Sequence, residues 1–523
     1  MYGIRPALSN QVNPWLVTLI ISLSTFMEVL DSSIANVSLA HIAGGLGAGL
    51  DESTWVLTSY LVANAVMMPI SGWLGTVFGC KPYYMFCVAS FTASSLLCAF
   101  APNLNWLLFF RILQGLGGAG MAPIVQSMLA DIFPPEKRGM AFSVYGLSVV
   151  FAPAIGPALG GWITDNYSWH WIFLINIPVG MISLVLTSLF VSEPIQTAVE
   201  RERLSRGGRF QFDFIGFALS VIGIGCLEFF VDRGQRYDWF SSPLILALAV
   251  TSGVSLLVLV FWESWQRSPI VNINLLRLPH FLAAFLMMFA MGFVLFGITA
   301  ILPQFLEQVL GYTAQQSGAA LTMGGFFLVL MMPLVGGFLI KKVSSRVLIG
   351  GGLLLQAAAL FHLSGFNINI SFEQASFSRV LQVAGIALIF IPVTRVAYDG
   401  LSPGENNGAA ALINLARNLG GSVGIAISNT LLAQRSQFHQ VRLVEHVTPY
   451  EVGTQNFLQR MHSLFPSLHQ IEYMQQAYQQ VLRQAAMLSY IDVFIVMGVV
   501  SLAIFPLIFL IPKGISSIGG HSE

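Results

Sequence analysis

Fourteen predominantly apolar stretches follow one another along this 523-residue chain, near 15–39, 54–75, 83–101, 104–129, 140–163, 171–191, 213–232, 243–263, 281–303, 318–340, 347–364, 376–398, 408–432 and 490–511. A helix needs about 20 apolar residues to cross about 30 Å of hydrocarbon. Inside a bilayer, helices and closed barrels alone satisfy their own backbone polar groups. The pattern therefore predicts an all-α polytopic membrane protein with fourteen transmembrane spans. Composition agrees: 9% of the residues are charged and 55% hydrophobic, against about 25% charged in an ordinary soluble domain. Lys+Arg 24 against Asp+Glu 24 leaves no net charge, which argues against a nucleic-acid binder and an acidic disordered tail. Cys80, Cys87, Cys98 and Cys226 lie in or beside apolar runs without metal-ligand spacing, so they read as small hydrophobes and no metal site is expected. A polar head precedes span 1, which itself holds two acids, so a cleaved signal peptide is a poor reading.

Cations set the expected orientation. With both termini inside, the short inner loops carry twelve Lys and Arg residues, among them Lys81, Lys137, Arg138, Arg201, Arg203, Arg206, Arg209, Arg267, Lys341 and Lys342, against six outside. The positive-inside bias places both termini in the cytoplasm. Two weak internal matches share nearly one offset: Arg111-Ile-Leu-Gln-Gly with Arg379-Val-Leu-Gln-Val, and Gly72-Trp-Leu with Gly337-Phe-Leu. They imply two six-helix halves, residues 1–191 and 281–523. Residues 192–280 form a linker and two inserted spans, and a long outer loop covers 434–489. Parallel halves of this kind form transporters with a cavity between them. Chance likeness of Leu/Gly-rich helices is the alternative.

A charge at the bilayer centre costs about 2.5–3.5 kcal/mol on insertion scales, so each needs a reason. Glu28 and Asp31 are three residues apart on one face of span 1, and Arg111 lies in span 4. At 1.5 Å per residue, Asp31 sits about 6 Å and Arg111 about 9 Å outward of mid-span, so they can meet, with Glu28 nearer the midplane. One acid can pair with Arg111 and stay ionised, while the other is desolvated beside a like charge, as a proton carrier requires. A buried ion pair that merely fixes packing is the competing reading. Arg417, with Asn414 and Asn418, either lines a pathway or bridges helices. Glu228 reads as an outer-half or lipid-shielded polar contact because its span belongs to the insert, and Arg379 as snorkelling to the interface.

Several motifs make the chain recognisable. Leu30-Asp31-Ser32-Ser33-Ile34-Ala35-Asn36-Val37, Arg111-Ile-Leu-Gln114-Gly115 with Gly117 and Gly118, and Ala152-Pro153-Ala154-Ile155-Gly156-Pro157-Ala158-Leu159-Gly160-Gly161 stand on spans 1, 4 and 5. Trp169-His170-Trp171 through Asn176 and Pro178, and Asn414 through Gly421, complete the set. In these motifs the chain resembles the major facilitator superfamily and its EmrB-like fourteen-span drug:proton antiporters. That resemblance implies a proton-coupled multidrug exporter driven by a proton gradient and using no other cofactor. Asp31, Glu28 and Arg111 would couple protons, and Gly156, Pro157, Gly160 and Gly161 would form the antiporter motif. Asn36, Gln114, Asn414, Arg417 and Asn418 are candidate pathway residues. Amphipathic drugs would be the cargo, and a periplasmic adaptor of the EmrA type with an outer-membrane channel the partners. The loop after span 2, Gly72-Trp73-Leu74-Gly75-Thr76-Val77-Phe78-Gly79-Cys80-Lys81, lacks the family's acid and first arginine, so a latch built on that acid is not expected.

The outer loop shows two apolar stripes, Phe457, Leu458, Met461, Leu464 and Phe465 before Pro466, then Ile471, Met474, Tyr478, Val481 and Ala485. Two amphipathic helices would bury them on each other, on the bilayer or on a partner. His439/His446 and His462/His469 are heptad-spaced, without the other ligand types a metal would want. No nucleophile elbow, zinc-protease helix or phosphate loop is present, so an enzyme is not expected. An exporter of an endogenous metabolite, lipid or siderophore shares every motif, and a non-transporting scaffold would not need the mid-membrane acids.

Overall fold

The computed structural model describes residues 12–193, 212–266, 269–448, 450–464 and 470–512. Fourteen helices in it are long and apolar enough to cross a membrane. Spans 1 to 6 are Pro14–Val37, Trp55–Phe78, Cys80–Ala99, Leu104–Ile132, Pro135–Asn166 and Trp171–Phe190. Spans 7 and 8 are Phe214–Arg233 and Pro243–Trp265. Spans 9 to 14 are Pro279–Gln308, Gln316–Lys342, Ser345–Ser364, Phe372–Ala397, Asn406–Val444 and Glu472–Leu510. Their ends carry polar caps. The Asn13 side chain accepts from the Trp15 amide and that of Asn103 from the Trp106 amide, while Thr313/Gln316 and Ser371/Gln374 form capping boxes.

The halves repeat one packing scheme. Span 1 lies along span 5 as span 9 lies along span 13, and spans 3–4 pair as spans 11–12 do. The halves meet along two seams, span 5 against span 10 and span 2 against span 13. Spans 7 and 8 pair with each other, and span 7 packs on spans 2 and 13, beside the second seam. Residues Lys81, Lys137, Arg138, Arg277, Lys341, Lys342 and Arg346 define a cation-rich face. The linker cations Arg201, Arg203, Arg206, Arg209 and Arg267 lie outside the described residues.

At the cation-rich face the second seam is shut. Asn406 Nδ2 donates to Asp131 Oδ1 at 2.7 Å and Asn407 Nδ2 to Thr76 Oγ1 at 3.0 Å, while the Cys80 thiol donates to Asn407 Oδ1 at 3.4 Å. Gly72 meets the Asn407 carbonyl so closely that a side chain there would overlap it.

The opposite face carries a hairpin in which both expected amphipathic stripes are helical, and what the structure corrects is the extent of the loop, because the helices of spans 13 and 14 run into 434–489. Span 13 continues unbroken to Val444, a short helix follows over Val452–Leu464, and the last stripe is the leading part of the helix Gln470–Ala503. Nothing in 434–444 breaks a helix, so the chain keeps its hydrogen bonds inside one rod. Arg435 Nε and His439 Nε2 both meet Asp492 Oδ2, at 2.5 and 2.7 Å, and Gln440 Nε2 donates to the Tyr478 hydroxyl at 2.8 Å. The buried stripe runs through Tyr473, Ala477, Val481 and Ala485, leaving Met474 and Tyr478 exposed. Phe465, Pro466 and His469 lie outside the described residues.

Candidate functional site

Span 1 turns Asp31 toward span 4, where the carboxylate is fully engaged. Arg111 Nη1 donates to Asp31 Oδ2 at 2.6 Å, while Asn176 Nδ2 and Gln114 Nε2 donate to Oδ1 at 2.6 and 3.2 Å. Arg111 Nη1 also reaches Gln114 Oε1 at 2.8 Å, its Nε donates to the Val56 carbonyl at 3.1 Å, and its guanidinium lies 4.3 Å above the Tyr60 ring. Both side chains are sealed from solvent, 1% and 0% exposed. A buried pair holds when further hydrogen bonds fill its remaining lone pairs and protons, and this one is nearly filled. Gln114 belongs to this cluster and does not line the cavity.

Glu28 is placed differently. It is buried, its Oε1 accepts from Asn64 Nδ2 at 3.1 Å, and its Oε2 has no partner. Asn64 opens a polar chain across the second seam. Asn418 Nδ2 donates to Asn64 Oδ1 at 3.5 Å and Arg417 Nη2 to Asn418 Oδ1 at 3.4 Å. Arg417 Nη1 then meets the Tyr145 hydroxyl at 3.5 Å, which donates to Asn414 Oδ1 at 2.9 Å, and Asn414 Nδ2 reaches Gln126 Oε1 at 2.5 Å. Asn414, Arg417 and Asn418 thus bridge the halves in this conformation and do not line the cavity.

The antiporter motif works by close approach. A side chain at Gly156 would overlap Ser33, and one at Gly160 would crowd Ile34, so span 5 lies hard against span 1. Gly318 and Gly325 of span 10 meet Ala158 and Ala154 on its other flank. Gly161 faces open space. Helix Pro135–Asn166 passes through Pro153 and Pro157. Pro157 has no N–H for the Pro153 carbonyl, and Ser33 Oγ donates to that oxygen at 3.4 Å.

Between the halves, toward the hairpin face, lies a cavity of about 510 Å³, within the range of small-molecule sites. Val29, Ser32, Ser33 and Asn36 of span 1 line it with Pro153 and Pro157, and Phe296, Thr299, Ala300 and Gln304 of span 9 face them with Ser422 and Asn429 of span 13. Asn36 and Pro157 are the predicted residues that reach it. Glu28 stands one helical turn beneath Ser32 on the same stripe.

Glu228, expected as an outer-half or lipid-shielded polar contact, is buried, and because span 7 packs beside the seam it also lines the cavity. One expectation is corrected: Arg379 does not snorkel; it is 1% exposed and donates from Nη1 to Gln382 Oε1 at 2.5 Å and from Nη2 to Thr299 Oγ1 at 3.1 Å. Asn64, Gln126, Tyr145 and Asn176 were not singled out by sequence. A buried amide or phenol in an apolar run was the available signal, and Asn176 stood within a quoted motif.

Comparison with known proteins agrees with this geometry. Residues 21–425 match the Major Facilitator Superfamily. The multidrug export protein EmrB of Escherichia coli K12 is 36% identical over 450 residues, covering 86% of each chain. The fatty acid resistance protein FarB of Neisseria gonorrhoeae is 36% identical over 446 residues, covering 85% of this chain and 86% of that one. Among solved structures, the human organic anion transporter MFSD10 superposes with a TM-score of 0.58 at 12% identity, over 94% of this chain and 99% of its own. The proton:xylose symporter XylE gives 0.58 at 14%, over 93% and 94%. The fourteen spans, the paired halves and these likenesses together make the chain a membrane transporter of the major facilitator superfamily, EmrB-like in sequence and not an enzyme.

Proposed function

We propose that the chain is a proton-driven exporter of amphipathic, largely hydrophobic compounds, a multidrug efflux antiporter, with the cation-rich face in the cytoplasm of a bacterial inner membrane. The observation that carries this reading is the unequal treatment of the two acids. Asp31 is saturated by Arg111, Gln114 and Asn176, while Glu28 keeps a buried oxygen without a partner, beneath the cavity and at the start of the chain that ties the halves. Glu28 is the group that gains and loses the proton, and the Asp31–Arg111 pair is the fixed charge arrangement beside it. A proton arriving from the hairpin side neutralises Glu28 as cargo leaves. The seam then reopens toward the cytoplasm, the proton departs inward and new cargo binds. Antiport follows because one carboxylate serves both events.

The names of the EmrB relatives support drug-like cargo, as does the cavity, whose largely apolar wall carries hydroxyl and amide groups and the charged side chains Glu228, Asp232, Arg233 and Arg236. We assign the hairpin to docking of a periplasmic adaptor of the EmrA type, leading to an outer-membrane channel. Its 39 residues make span 13 about 58 Å long, well beyond the hydrocarbon thickness, and Met474, Tyr478, Val441 and Val444 stay exposed along the projecting rods. In everted vesicles, drug addition should move protons in the wild type and fail to do so in Glu28→Gln. Unaltered proton movement in that variant would overturn the assignment.

A further inference from the structure

Among the described residues, the cavity wall takes all its charge from the insert: Glu228, Asp232, Arg233 and Arg236 belong to span 7 and the turn that follows it. Asp232 and Arg233 are fastened to span 2. The Thr58 hydroxyl donates to Asp232 Oδ2 at 2.6 Å, and Arg233 Nε lies 3.2 Å from the same oxygen. Arg233 Nη1 and Nη2 donate to Thr54 Oγ1 and Thr58 Oγ1 at 2.9 and 3.1 Å, and its guanidinium lies 4.2 Å above the Trp55 ring. Arg236 stands beyond the outer end of the helix.

Glu228, one helical turn further in, is held differently. It is 3% exposed yet lines the cavity, and among the described residues no cation pairs with it. The Ser422 hydroxyl of span 13 is within hydrogen-bonding reach of its carboxyl group. Spans 2, 8 and 13 pack against span 7. Span 2 carries no charged residue, and its Tyr60 ring lies under Arg111. Span 8 carries only Glu263, at its far end, where the Val271 amide donates to it. On span 13, Arg417 turns to Asn418 and Tyr145, Arg435 and His439 meet Asp492, and Arg442 lies over Phe438. The charge that acts on Glu228 is thus that of Asp232, of its own sign. Burial without a cation penalises an ionised carboxylate, and taking up a proton removes the penalty.

Span 1 shows the same arrangement. Glu28 also precedes, by one turn, an acid that an arginine holds, and its Oε2 stays unpartnered. Both acids touch one polar line on span 13. Glu28 reaches Asn418 through Asn64, and Ser422 stands one turn beyond Asn418.

We propose that Glu228 is a second proton-binding site, loaded from the cavity, so that the inserted spans belong to the coupling machinery. The proton comes from cavity water on the hairpin side, neutralises the carboxylate, and leaves toward the cytoplasm when the halves reopen there. This gives the exporter proposed above a second carboxylate and rests on that reading for transport. Proton binding at equilibrium needs neither cargo nor a gradient, so the two can fail separately.

The test counts protons taken up by the purified full chain in lipid nanodiscs as the pH is lowered, and records infrared difference spectra of protonated carboxyl groups over the same range. Glu228→Gln should take up one proton fewer per chain than wild type and lose one carboxyl band, and Glu28→Gln should lose a different one. Ser422→Ala should keep the Glu228 band and move it to higher frequency, because the carboxyl group loses a hydrogen bond there. Proton uptake and spectra in Glu228→Gln identical to wild type would overturn the proposal. So would the absence of any band shift in folded Ser422→Ala, a variant that decides the matter even where Glu228→Gln does not fold. A Glu228 band without a Glu28 band would support this site and count against the role given to Glu28 above.

Discussion

Ser33 of span 1 donates its hydroxyl to the Pro153 carbonyl of span 5 at 3.4 Å, an oxygen that Pro157 leaves without its helical donor. One side chain thus repairs the helix that carries the antiporter motif and fixes the approach of span 1 to it. Ser33→Ala should lower stability by about 0.6 kcal/mol, the mean of interhelical hydrogen bonds in membranes, and Ser33→Thr should retain the bond. Thermal unfolding of the two variants in detergent checks this.

The glycines of span 5 should separate by position. Gly156→Ala forces a methyl group into Ser33, whereas Gly161→Ala enters open space. Transport should fall sharply in the first and stay near wild type in the second. A drug-resistance assay at matched expression compares them, and equal loss in both would show that contact with span 1 is not what matters.

Breaking the Asp31–Arg111 pair from one side strands a buried charge, which costs about 3–5 kcal/mol. Asp31→Asn and Arg111→Gln should each reduce folded yield markedly, and the double variant should recover much of it. A double-mutant cycle on thermal stability measures the coupling directly.

Glu28→Gln imitates the protonated acid without adding bulk. Cargo-for-cargo exchange in proteoliposomes should persist, while accumulation against an imposed proton gradient should vanish. Loss of both activities would mean that Glu28 holds the fold rather than the proton.

Thr76 and Asn407 meet across the cation-rich end of the second seam. A disulfide between cysteines introduced by Thr76→Cys and Asn407→Cys should arrest transport, and reduction should restore it. The readout is dye efflux before and after reductant.

All fourteen spans were legible because bilayer thickness writes its length directly into the hydropathy of the chain. The meeting of Asp31 with Arg111 was legible too, since rise per residue converts sequence position into depth. Asn64, Tyr145 and Asn176 were not, because hydropathy carries no azimuth: a single amide or phenol in an apolar helix gives no sign of which neighbour it faces. The place of Glu228 on the cavity wall was not legible for a related reason. Its span is extra to the repeat, and only packing puts span 7 beside the seam. The extent of span 13 was missed because polar residues beyond the bilayer suggested a loop, although nothing among them interrupts helical hydrogen bonding.

That unbroken rod has a mechanical consequence. Span 13 holds one side of the seam at Asn407, Asn414 and Asn418 and, at the outer end of its apolar run, is clamped to span 14 through Arg435 and Asp492, with its tip projecting beyond that clamp to Val444. Any tilt of the second half is magnified along such a lever, so the distal tip swings farther than the gate that drives it. The turnover state of the machine is thereby broadcast to whatever touches that tip.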